Sequence, residues 1–124
     1  MGKIAAGLKG KVVVSFYTKI DIVYLDFPRL DFEKLTPQLE ALMDKLRYSH
    51  DVIKDLKELG REGSAMPKLN SFCIIDLFSR IAPLDPKVPF ALRGMGEHPR
   101  SVWVREYVGG KEVYALGPPD EVDC

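Results

Sequence analysis

Apolar and polar residues alternate through "KVVVSFYTKIDIVYLDF", residues 11–27, and a period of two marks a half-buried strand. The stretch predicts a hairpin turning at Lys19-Ile20. Phe16 then faces Val23, Val14 faces Leu25 and Val12 faces Phe27, giving one wholly apolar face. The other face carries Val13, Ser15, Tyr17, Ile22, Tyr24 and Asp26. The turn lacks the Gly or Asn that tight hairpins prefer, so a slip of one residue in register stays open. A second hairpin is expected in "SVWVREYVGGKEVYAL", 101–116, turning at Gly109-Gly110. Val108 then pairs with Lys111 and Tyr107 with Glu112. One of its faces holds Val102, Val104, Glu106, Val108, Val113 and Ala115. The reverse holds Trp103, Arg105, Tyr107, Glu112, Tyr114 and Leu116.

Between the hairpins the period lengthens. Thr36 as N-cap and Pro37 at the first helical position open a helix that runs to Gly60. Leu35, Leu39, Leu42, Leu46, Ile53 and Leu56 follow a 3-4 spacing that Ser49 interrupts. One long helix or two helices broken near Ser49 both fit. The stripe serves either to pack on the chain's own sheet or as a coiled-coil seam, with too few clean heptads for the second. Residues 60–70 read as a basic loop. In 71–81, Ile74, Leu77, Phe78 and Ile81 favour a helix capped by Asn70 or Ser71 and stopped by Pro83. "APLDPKVPFALRGMGEHPR", 82–100, reads as a long irregular loop rich in Pro and Gly.

The order is thus ββ-α-α-ββ, an α+β domain with one antiparallel sheet of two hairpins and helices packed on one face. Residues 1–10 form a flexible basic N-terminal arm, 11–117 a single domain and 118–124 an acidic C-terminal tail. At 124 residues and 46% hydrophobic composition, the chain is long enough to bury a core. No run of about 18 apolar residues suits a membrane span, and the N-terminus lacks the apolar region of a signal peptide. The two cysteines, Cys73 and Cys124, form no metal-binding spacing, so neither a cofactor nor a metal is expected. A reducing cytoplasm is the plain reading. A single Asn and a single Gln among 36 charged residues suggest a hyperthermophilic source.

Net charge is zero but uneven, with basic stretches over 1–30 and 61–105 and an acidic end. That allows a local polyanion site without demanding one. The aromatic residues are segregated. None of the six Phe falls on the second face of either hairpin, whereas Tyr17, Tyr24, Trp103, Tyr107 and Tyr114 all do. Rings with polar edges suit a half-wet surface, and bases stack on them whatever their sequence, at roughly 1–3 kcal/mol each. The expectation is a platform for single-stranded DNA or RNA, largely indifferent to sequence. Arg105 lies on its floor, with Lys11, Lys19, Arg61, Lys68, Arg93 and Arg100 at its edges. Against it stands the fact that cross-strand aromatic pairs stabilise sheets without any ligand, and that a helix placed over this face would close it.

The size, the amide-poor composition and the hairpin–helices–hairpin layout resemble the ThermoDBP-related single-stranded DNA-binding proteins of archaea over residues 11–117. The resemblance implies a hydrophobic floor between basic edges. No motif matches residue by residue, and the long C-terminal leucine zipper of some members has no counterpart here. Two other classes compete. A non-catalytic interaction module would pair two chains into a homodimer or receive a partner protein. An enzyme of phosphoesterase type would centre on "RGMGEHPR", where His98 and Glu97 lie beside Arg93 and Arg100. His50 and Asp51, adjacent on a helix, point apart and make no dyad.

Overall fold

A computed structural model describes residues 17–96 and 101–118. The chain runs β1 (Lys19–Tyr24), α1 (Thr36–Leu46), α2 (Asp51–Glu62), β2 (Ser64–Ala65), α3 (Ser71–Ile81), β3 (Phe90–Met95), β4 (Val102–Val108) and β5 (Lys111–Leu116). The strands form one antiparallel sheet in the order β2-β1-β3-β4-β5. The α+β class and its antiparallel sheet agree with the sequence. The two-hairpin order does not, because one strand precedes the helices and three follow them.

Both departures concern β1 and its neighbour. Lys19 and Ile20 make no turn but open a continuous strand, in which Ile20 and Ile22 point into the core. Without a Gly or Asn there, the alternation of 20 and 22 is better served by straight backbone. Residues 11–16, expected as its hairpin partner, lie outside the described residues, as do the N-terminal arm and most of the acidic tail. The partner of β1 is instead β3, with Lys19 opposite Met95 and Tyr24 opposite Phe90. β3 emerges from the stretch expected to be an irregular loop. Pro89 stands just before it, where its lack of an N–H costs no ladder bond, and Phe90 and Leu92 are buried.

The helices behave as their spacing suggests. α1 stops where Arg47 takes a left-handed conformation, and α2 begins after His50, so the Ser49 region is a true break. Thr36 does not cap α1 by its side chain. Its hydroxyl donates to the Phe32 carbonyl at 2.9 Å, and Asp31 accepts from the N–H groups of Glu33 and Lys34. Asn70 caps α3 by accepting from Cys73 N–H at 2.9 Å. Leu39, Ile53 and Leu56 are buried, and Leu42 and Leu46 pack against the same core. The Leu stripe therefore meets its own sheet rather than a coiled-coil partner.

All three helices contribute to a core with Ile20, Ile22, Phe90, Leu92, Trp103 and Tyr107 of the sheet. Phe90 stacks on Tyr107 at 5.0 Å between ring centroids and meets Phe78 of α3 edge-on at 6.1 Å. One face of the sheet is thus sealed. The other has no helix over it among the described residues.

Candidate interaction surface

The sealed face is the one that bears Trp103, Arg105 and Tyr107. Trp103 and Tyr107 are fully buried, so neither ring is available to stack a base, and the expected aromatic platform is corrected. The reason is steric and local. Gly94 on β3 stands opposite Trp103, and a Cβ there would lie 2.1 Å from the indole carbons, so the missing side chain makes room for the ring. Arg105 is corrected as a phosphate ligand too. It is 9% exposed, and its Nη1 donates to the carbonyls of Val104, Leu116 and Gly117 at 2.9, 3.2 and 2.7 Å. Its Nε lies 3.4 Å from Glu112. The guanidinium is consumed in fastening the end of β5.

Tyr114 leaves the expected face for a different reason. Pairing from the Gly109-Gly110 turn runs as anticipated to Tyr107–Glu112, but Glu106 then pairs with Tyr114. Val113 is the extra residue of a β-bulge, and one extra residue turns every later side chain over. Tyr114 and Leu116 therefore join the uncovered face. Tyr24, half-buried, packs against the core under the Arg29 guanidinium, 5.1 Å from its ring centroid. Tyr17 stays exposed beside Lys68, whose Nζ is 5.8 Å from the ring.

The uncovered face is mostly apolar. Across it run Lys19, Asp21 and Val23 of β1, Ala91, Arg93 and Met95 of β3, Val102, Val104, Glu106 and Val108 of β4, and Lys111, Tyr114 and Leu116 of β5. Val23, Met95, Val102, Val108, Tyr114 and Leu116 are each about half exposed, and every residue of β5 is exposed. Asp21 and Arg93 approach to 3.8 Å within this face. A shallow depression of about 180 Å³ lies there, lined by Lys19, Asp21, Arg93, Met95, Val102 and Val104 among others.

The remaining expected basic residues do not converge. Arg61 sits at the end of α2 and Lys68 in the loop before α3, while Lys11 and Arg100 lie outside the described residues. Of the phosphoesterase group, Glu97, His98 and Arg100 lie outside the described residues, and Arg93 stands 3.8 Å from Asp21. His50 does have a carboxylate partner that adjacency along the helix concealed. Asp44 of α1 lies 2.8 Å from its Nε2, across the α1–α2 break, at the surface. No group of three or more His, Cys, Asp or Glu able to hold a metal occurs among the described residues. No described helix is long and apolar enough to cross a membrane. Cys73, buried on α3, is disulfide-bonded.

No family model, curated protein or solved structure matches the chain.

Proposed function

We propose that this chain is a non-catalytic interaction module whose uncovered sheet face associates with a second copy of itself. The observation that supports the reading is the apolar face formed by Val23, Met95, Val102, Val108, Tyr114 and Leu116, with no covering element among the described residues. Monomeric proteins rarely leave contiguous apolar area of more than a few hundred Å² in water. From strand spacing and rise, the face measures roughly 20 Å on a side. That is about 400 Å² per copy and roughly 800 Å² in all, below the usual specific interface, so the association proposed is weak and concentration-dependent.

Charge favours a copy over an unlike partner. Once Asp21 and Arg93 pair, Lys19 on β1, Glu106 on β4 and Lys111 on β5 remain without ion pairs among the described residues. Both signs are present, on three different strands of one face, with a positive excess. A two-fold axis through that face would let a lysine of one copy meet Glu106 of the other, as an isologous dimer allows, with one lysine of each copy left over. The adjoining edge of β5, bonded among the described residues only to β4, gives the same copy a second means of attachment.

Single-stranded nucleic acid is the second reading. What supports it is the exposed group of Tyr17, Lys68 and Lys19 at the β1 end, with Arg93 and Tyr114 on the same open face. Asp21 and Glu106 weigh against it by neutralising that surface.

Sedimentation equilibrium from micromolar to millimolar protein tests the first reading. Dimer should form, and Val102→Glu with Leu116→Asp should abolish it without changing the thermal midpoint. A monomer at all concentrations defeats it. Titration of oligo-dT at low salt, read by gel shift, tests the second. Binding that Lys19→Glu and Arg93→Glu remove would put nucleic acid first.

A further inference from the structure

We infer that residues 11–16 of this chain occupy the open sheet face in the monomer, laid across it as a cover that a second copy must displace. The segment's own pattern suits that surface. In "KVVVSF" a period of two sets Val12, Val14 and Phe16 on one side. That wholly apolar side matches Met95, Val102 and Leu116, each about half exposed. The depression of about 180 Å³ lined by Met95, Val102 and Val104 offers the Phe16 ring a seat.

The place of entry fits as well. Thr18 is buried and fixed, its N–H donating to the Pro67 carbonyl at 3.2 Å and its hydroxyl to that of Leu69 at 2.7 Å. The chain is thereby held at the corner where Lys19, Met95 and Val102 stand side by side. From Tyr17 back to Lys11 is six residues, about 20 Å of extended chain, which is the width of the face. Charge sets the direction of the crossing. Residues 1–16 hold Lys3, Lys9 and Lys11 and no acid, and Glu106 on the open face is without an ion pair among the described residues. Glu106 lies two strands and four residues from the entry corner, a diagonal of about 17 Å. Lys11 at the far end of the segment therefore reaches it.

A segment tethered to its target acts at an effective concentration on the order of millimolar, enough to contend with a weakly held second copy. A cover in place about nine-tenths of the time raises the apparent dissociation constant of the dimer about ten-fold. The docking of 11–16 stands apart from the self-association reading, and only this competition rests on it.

The test uses the full chain, ¹³C-labelled at the methyl groups of Val, Leu and Met, at a concentration where sedimentation shows monomer. NOEs should connect the Phe16 ring with the methyls of Met95, Val102 and Leu116. Val12→Asp with Val14→Asp should remove them and tighten dimerisation about ten-fold. Their absence from the monomer, or NOEs found only between differently labelled copies, would overturn the proposal. NOEs in a parent that dimerises, without tighter dimerisation in the variant, would overturn the competition. NOEs in a chain monomeric throughout, parent and variant alike, would uphold the cover while the self-association reading fails.

Discussion

The indole of Trp103 occupies the space where a side chain on Gly94 would stand, with 2.1 Å between the site of an added Cβ and Cε2 or Cζ2 of the ring. These two residues pair directly across β3 and β4, and the whole helix-covered face is arranged around that fit. Gly94→Ala should therefore lower stability by about 3 kcal/mol, the upper range for overpacking a core. Urea denaturation followed by Trp103 fluorescence measures it. A variant within about 0.5 kcal/mol of the parent, the ordinary range of neutral surface changes, would refute the packing.

Burial of Trp103 makes a spectroscopic prediction opposite to that of an open platform. Its emission should be blue-shifted and insensitive to iodide, and saturating oligo-dT should leave it unchanged. Strong quenching by either would show that the ring reaches solvent.

Tyr107 carries a hydroxyl buried without a partner. Burial, reinforced by Glu112 and partly relieved by Arg105, pushes its ionisation far above that of a free tyrosine. A buried unsatisfied hydroxyl costs about 1–3 kcal/mol, so Tyr107→Phe should be neutral or stabilising. The linkage has a definite sign. A folded-state pKa above the unfolded value contributes stability that is complete below about pH 10 and is lost as pH rises beyond it. Tyr24 and Tyr48 are shifted the same way, chiefly by burial. Alkaline titration at 295 nm should show a delayed phenolate fraction that appears together with unfolding, and a smaller one in Tyr107→Phe.

Much of this was legible in the sequence, and the misses share a cause. The Gly109-Gly110 turn was set by local chemistry, while Ser49 and the Asn70-Ser71 pair marked where a break and a cap could fall without choosing between the alternatives. Whether Trp103 and Tyr107 face helices or water depends on which side the helices take, and alternation alone is symmetric between the two faces. β3 was missed because its flanking prolines and glycines carry a loop signal, while its pairing with β1 and β4 is wholly non-local. The flip of Tyr114 follows from the register shift at Val113, which the alternation of 111–116 does not signal.

Asp55 supplies a test in acid. Burial, with Glu58 and Asp51 adding repulsion, raises its pKa above the usual carboxylate value. Its contribution is therefore present below about pH 4 and lost as pH rises through its folded-state pKa. Asp55→Asn should raise the thermal midpoint at pH 7, and the gain should vanish toward pH 3. An equal gain at both pH values would rule out the electrostatic cause.

Arg105 offers the sharpest mutational contrast with a nucleic-acid role. Arg105→Ala frees three carbonyls and Glu112. It should cost about 2–3 kcal/mol, the scale of charge-assisted hydrogen bonds. Hydrogen exchange should accelerate first in Lys111–Leu116. A fold that tolerates the change would argue that the residue is reserved for a ligand.

The pairing of Lys19 with Met95 also bears on how the chain is made. β1 leaves the ribosome long before β3, and the entire helical middle is synthesised in between. Its hydrogen-bonding groups and its apolar side chains must wait through that interval. Vectorial synthesis thus creates a window in which β1 has the helices and the two-residue β2 as its partners, and slowing translation after α3 should raise misfolding more than slowing it before.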